Sequence, residues 1–298
     1  MQVASKQVCK WPVSKFASLQ VTSNKPADLQ TCEPANLHLA TSIRKVMAVV
    51  EYDGTDYHGF QIQPQQRTIQ GEIERALARI TQEDIRIVGA GRTDAGVHAK
   101  GQVISFSTSW DRPLGELRRA LNAVLPRDIA IHEIRKVPEG FNARYSAVSR
   151  EYRYSIWNAP TRSPLMERFV YHYPQPLDLT RMNEACSYLV GTHDFASFGS
   201  PPKEGGSTVR TLYRAECDRE GDLVYVVFVA NAFLCRMVRS LVSALLQVGT
   251  GRLAPDDLRG ILLAKDRDLV KVTVPPQGLC LVKVNYPQKL QGESLRLS

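Results

Sequence analysis

Gly89-Ala90-Gly91-Arg92-Thr93-Asp94-Ala95-Gly96-Val97-His98-Ala99 is the densest stretch of the 298-residue chain. Three glycines within eight residues let backbone approach a ligand closely and adopt conformations closed to other residues. Two nucleotide-binding loops can be tested against it, and both fail. A dinucleotide fingerprint requires glycine where Asp94 stands. A phosphate loop requires Lys and then Ser or Thr after its second glycine, and Val97-His98 occupies that place. An anion cradle would not hold a carboxylate at its centre. Asp94, between a glycine-flanked arginine and a further glycine, reads as a presented group.

The elements around this loop mix strands and helices. Val46–Tyr52 is a β-branched run ending at the Asp53-Gly54 turn signal. From Thr68 the period becomes helical, with Ile69, Ile73, Leu77 and Ile80 on one face. Ile85–Val88 and Gln102–Phe106 read as strands flanking the glycine-rich loop. Leu114–Leu125 reads as a helix stopped by Pro126, and Ile129–Val137 and Glu151–Trp157 alternate as strands. After the Asn158-Ala159-Pro160 turn, a helix is predicted over Leu179–Val190, capped by Asp178. Thr208–Cys217 and Leu223–Ala230 form a predicted hairpin around Glu220-Gly221-Asp222. Helices over Phe233–Val248 and Pro255–Leu263 follow, then a last strand over Leu279–Tyr286. The pattern is α+β, with antiparallel hairpins in place of strict strand–helix alternation.

Composition narrows the class. Hydrophobic residues at 43% and charged residues at 23% are those of an ordinary soluble globular protein. The longest uncharged stretch, Leu223–Cys235, is too short for a membrane span, which needs ~20 apolar residues. Lys and Arg exceed Asp and Glu by eight. Residues 1–42 contribute +2 of this and 288–298 contribute +1, leaving +5 on the body, the footprint of a nucleic-acid partner. Six scattered cysteines form no C-x-x-C pair and no zinc spacing, so no metal site is expected from them, and the compartment reads as reducing and cytosol-like. Residues 1–42, without periodicity, read as a poorly ordered extension. A transit peptide is the weaker alternative, because the segment lacks arginine and contains Asp28 and Glu33.

Gly91-Arg92-Thr93-Asp94-Ala95-Gly96-Val97-His98 closely resembles the signature of the tRNA pseudouridine synthase A (TruA) family. The likeness extends through Tyr52–Pro64, Thr68–Glu72, Phe141–Ala147, Arg150–Tyr154, Gly191–Phe195, Asn231–Arg239, Ala264–Arg267 and Gly278-Leu279. These blocks fall in family order between about Arg44 and Pro287, and the extension before Arg44 has no counterpart in the common family pattern. The resemblance implies the pseudouridine synthase fold: two ferredoxin-like α+β halves sharing a mainly antiparallel sheet with a central active-site cleft. The halves are expected at 43–158 and 159–287, with 288–298 as a tail. It also implies isomerisation of uridine to pseudouridine in the anticodon arm of tRNA, at tRNA positions 38 to 40, without cofactor or metal, by a cytoplasmic homodimer. Another RNA target for the same fold, with organellar import of the extension, and a non-catalytic tRNA-binding or RNA-chaperone protein are the alternatives.

Residue by residue, the resemblance makes Asp94 the nucleophile, and the sequence is compatible with attack at ribose C1′ or at the uracil ring. Arg239 matches the arginine that pairs with the nucleophile, where a guanidinium would keep Asp94 ionised in a cleft that excludes water. Its alternative role is a structural ion pair on a core-facing helix, on which Phe233, Met237 and Leu241 share the inward face. Tyr152 matches the tyrosine that stacks on the target uracil and takes part in proton transfer at C5. Tyr154, two residues on along the strand, shares its face and is the expected packing partner. Arg92 matches the arginine that takes the place of the flipped-out base, with a simple phosphate contact as the alternative. His58, His98 and His193 are not required for this chemistry, and His98 is expected to brace the Asp94 loop. Lys203, Arg210, Arg214 and Arg219 read as solvated or phosphate-facing charge.

Overall fold

The computed structural model describes residues 43–288. The expectations placed on 1–42 and 289–298, the extension and most of the tail, lie outside the described residues. Strand β1 (Arg44–Tyr52) leads to helix α1 (Ile69–Thr81), the two-residue β2 (Val88–Gly89), β3 (His98–Thr108), α2 (Leu114–Val124), β4 (Ile129–Lys136) and β5 (Ser149–Trp157). There follow β6 (Tyr171–His172), α3 (Leu179–Leu189), β7 (Gly191–Asp194), β8 (Val209–Glu220), β9 (Leu223–Ala230), α4 (Met237–Gly249), α5 (Pro255–Ala264) and β10 (Leu279–Asn285).

The strands form one sheet in the order β4-β1-β3-β10-β5-β9-β8-β7, with β2 added beside β3 and β6 beside β5. All pairings are antiparallel except β10 with β3 and β5 with β6. The last strand thus enters the middle of the sheet. Its Cys280 and Leu281 lie against His98 and Ala99 of β3, while its other edge runs antiparallel to β5. This places β3, which emerges from the Asp94 loop, one strand away from β5, which carries Tyr152.

Local sequence accounts for most boundaries. In β9, Val224, Val226, Phe228 and Ala230 are fully buried while the residues between them are half-buried, the period-2 pattern of a sheet with one dry face. The Thr68 hydroxyl accepts from the Gly71 N–H at 3.3 Å to start α1, and Asp178 Oδ1 accepts from the Arg181 N–H at 3.1 Å to start α3. Helix α4 is buried nearly all round, from Met237 and Val238 to Leu246 and Val248, as its apolar run requires.

Two predicted elements differ. The strand expected over Ile85–Val88 is reduced to Val88–Gly89, because the buried carboxylate of Glu74 takes the Ile87 N–H at 3.0 Å in place of a neighbouring strand. Helix α4 begins at Met237, not Phe233. Asn231 ends β9 by accepting the N–H groups of Thr211 and Ala232 on its Oδ1. Cys235 then bridges to Ser200, and Arg236 turns through the left-handed region at φ 61°. Phe233 and Arg236 therefore lie on a loop, and the helical face that Phe233 was expected to share starts at Met237.

Candidate active site

The Asp94 loop leaves β2 and enters β3, and almost every residue before the carboxylate is tied to something rigid. The Ala90 N–H donates to Val103 O at 2.8 Å, and Gly91 O accepts from Gln102 Nε2 at 2.9 Å. Thr93 is fixed twice: its hydroxyl shares a 2.8 Å hydrogen bond with the buried Tyr52 hydroxyl, and its carbonyl accepts the Phe60 N–H at 3.1 Å. The Val97 N–H closes the turn on Asp94 O at 3.2 Å, and Gly96 takes φ +75°. Gly59 also needs its freedom. At φ +87° a β-carbon there would stand 2.7 Å from Thr93 O. The loop is thus preorganised, with the Asp94 side chain left 42% exposed.

Arg239 projects from the first turn of α4 toward that carboxylate. Its Nη1 lies 3.4 Å from Asp94 Oδ2, while its Nε donates to Val274 O at 2.7 Å, which fixes the plane of the guanidinium. The structure brings together the predicted pair, but at 42% exposure Asp94 is in contact with solvent, in place of the water-excluding setting expected from the sequence.

Tyr152, on β5, is buried and meets the Phe233 ring edge-on at a centroid distance of 5.0 Å and an interplanar angle of 83°. Burial pushes its hydroxyl far above the ordinary tyrosine range, and no described residue hydrogen-bonds it. Tyr154 on the same face is fully buried, donates to Pro275 O at 2.8 Å and serves as packing, as expected. Arg92 is exposed at the cavity wall without an ion-pair partner among the described residues. Asp94, Arg92, Tyr152 and Arg239 all line one cavity of about 690 Å³, with Phe233, Arg144 and Arg236.

His98 does not brace the Asp94 loop. The Gly54 N–H lies 3.1 Å from its Nδ1, which also stands 3.1 Å from Asp53 Oδ1, and its Nε2 bonds Gln277 O at 3.1 Å, so the ring ties the end of β1 to the entry of β10. Burial lowers its pKa, and the Asp53 carboxylate beside it opposes that shift without reversing it. Arg214 pairs with Glu216, Arg219 bonds Asn158, and Arg210 donates to the Ser207 and Val209 carbonyls, so these three are engaged with the protein itself. Sequence reasoning missed Tyr52 and Gln102, whose polar ends sit beneath the loop. The signal in the sequence is the amide of Gln102 at the head of the largely apolar Val103–Phe106 run, and the structure buries it completely.

Comparison with known proteins names the class this fold and site define. A family model for tRNA pseudouridine synthase matches residues 48–146 and 185–287. The chain belongs to the tRNA pseudouridine synthase family, isomerases that turn uridine into pseudouridine. Among individual relatives, a tRNA pseudouridine synthase A of Brevibacillus brevis is 45% identical over 244 residues, covering 82% of this chain and 100% of that protein. That of Oceanobacillus iheyensis is 43% identical over 83% of this chain and 98% of its own length, and that of Thermoanaerobacter pseudethanolicus 42% over 82% and 100%.

Proposed function

We propose that the chain isomerises uridine to pseudouridine in the anticodon arm of tRNA, at tRNA positions 38 to 40, with Asp94 as nucleophile. The observation that carries this reading is Asp94 itself: solvent-accessible, held on a braced loop and paired with Arg239 at 3.4 Å. The reaction breaks the uracil N1 to ribose C1′ bond, turns the base and joins C5 to C1′, so a proton leaves C5 and one is gained at N1. A carboxylate that adds and departs divides this into two easier steps. Arg239 holds the carboxylate in its direction. Tyr152 supplies an aromatic surface and an unengaged hydroxyl for the uracil, with Phe233 against its ring. Arg92, exposed at the wall, can fill the place of a base that has left the stack, a departure that costs a few kcal/mol.

The same reading takes 43–158 and 159–287 as its two α+β halves, a cytoplasmic setting and a homodimer that binds tRNA across both subunits. Among the described residues no helix is long and apolar enough to cross a membrane. Retention of Asp94, Arg92, Tyr152 and Arg239 in one cavity speaks against a protein that only binds RNA. Site-resolved mapping of pseudouridine, on tRNA transcripts and on RNA from cells with and without the protein, tests the target. Modification confined to positions 38 to 40 is expected; a different RNA or position would replace the anticodon-arm assignment.

A further inference from the structure

Arg150, near the start of β5, points into the same face of the sheet as Tyr152 and is buried among backbone carbonyls. Its Nη1 donates to Asn231 O at 2.7 Å and to Ala147 O at 3.3 Å. Its Nη2 donates to Ala90 O at 2.9 Å and to Arg144 O at 2.5 Å. Those four acceptors belong to three separate pieces of chain. Ala90 opens the Asp94 loop, Arg144 and Ala147 belong to the turn before β5, and Asn231 begins the loop that carries Phe233 and Arg236 into α4. No carboxylate pairs with Arg150 among the described residues, and burial lowers its pKa. A buried cation held only by carbonyls is a costly arrangement, because desolvation is offset by dipoles alone.

We infer that Arg150 is the positioning residue that locks the nucleophile loop, the Arg144 turn and the Phe233 loop into one working geometry. The inference rests on the proposed reaction and adds to it a residue that acts through others. A guanidinium suits the task because its planar fork directs donors to several separated acceptors at once. Lysine offers donors from a single point and cannot reach all three segments in their present places. Ala90 is only four residues from Asp94, and Asn231 only two from Phe233. A shift of either segment by an ångström would move the carboxylate or the ring that flanks Tyr152, and misplacement on that scale costs about a hundredfold in rate. Docking of tRNA depends on exposed charge outside these three segments' anchoring contacts, such as Arg92, so it should survive.

The test compares Arg150→Lys, Arg150→Gln and Arg150→Ala with the wild-type protein. Single-turnover pseudouridine formation on an anticodon-arm transcript, tRNA Kd by gel shift and thermal melting are measured on each. All three variants are expected to lose about a hundredfold in rate, with Kd nearly unchanged. Low, non-denaturing guanidinium chloride is expected to restore part of the rate of Arg150→Ala, whereas sodium chloride at equal ionic strength is not. Variants that keep the wild-type rate would overturn the inference. So would a joint fall of rate, binding and melting temperature without guanidinium rescue, which would make Arg150 an architectural residue. Inactivity of the wild-type protein on the same transcript would instead strike the proposed function, so the two failures are distinguishable.

Discussion

The Arg239 guanidinium approaches the Asp94 carboxylate to 3.4 Å, yet the two are unequally covered: Arg239 is 15% exposed and Asp94 42%. A pair sealed from water is strongly destabilised by loss of one partner, by about 3 kcal/mol or more. Here water can take over the solvation of Asp94. Replacement of Arg239 by methionine should therefore cost only about 1 kcal/mol of stability, mostly from the lost Nε bond to Val274 O. Turnover should fall far more than stability. Thermal melting beside a single-turnover assay checks both; a large stability loss with modest loss of rate would reverse the assignment of Arg239 to chemistry.

Gly59→Ala probes the bracing of the nucleophile loop from the far side. The new β-carbon would stand 2.7 Å from Thr93 O at a backbone φ of +87°. A destabilisation of about 1–3 kcal/mol is expected from the strain, with reduced kcat. Urea denaturation and initial-rate kinetics test this. A neutral substitution would show that the approach of the two segments is slack.

His98 gives the protein a pH dependence of known sign. Burial holds its pKa below the ordinary 6.5. As pH falls, the unfolded chain takes up the proton before the folded one. Stability from neutral His98 is therefore complete above about pH 6.5 and is lost on descent toward the folded pKa. Denaturant midpoints between pH 7.5 and 5.5 should fall for the wild-type protein and stay flatter for His98→Gln. Equal slopes for the two proteins would rule out His98 as the source.

Much of this architecture was legible in the chain, for reasons that differ by element. Thr68 before α1, Asp178 before α3 and Pro126 after α2 mark ends through local chemistry, so sequence suffices. The α+β class followed from strand and helix periods and the particular fold from the motif resemblance, and Asp94 stood out because a carboxylate amid glycines has no packing role. The start of α4 was misread because Phe233 keeps helical spacing with Met237 and Leu241. What ends the strand before it is the Asn231 side chain, and what holds the loop is the bridge from Cys235 to Ser200, both non-local. The central place of β10 was equally invisible, since nothing in Leu279–Asn285 names β3 and β5 as neighbours. His98 was assigned to the adjacent loop by proximity in sequence, whereas its partners are 44 and 179 residues away.

The net +5 on the body and the exposed Arg92 at the cavity wall call for RNA contacts made largely through phosphates. Affinity for tRNA should fall log-linearly with salt, by about tenfold or more over a fourfold rise. Gel-shift or filter-binding titrations across that range decide it. A nearly flat response would sink the electrostatic picture.

Asp94→Asn tests the central claim most directly. The substitution keeps the shape of the side chain and removes only the anionic oxygen that must attack. Pseudouridine formation on an anticodon-arm tRNA, measured beside gel-shift binding and a thermal melt, should fall to background. The melting temperature should stay near that of the wild-type protein. Binding should be retained or slightly tighter, since one negative charge beside RNA is gone. Substantial remaining turnover would contradict the nucleophile assignment, and joint loss of binding and turnover with a normal melt would make Asp94 a group that positions RNA.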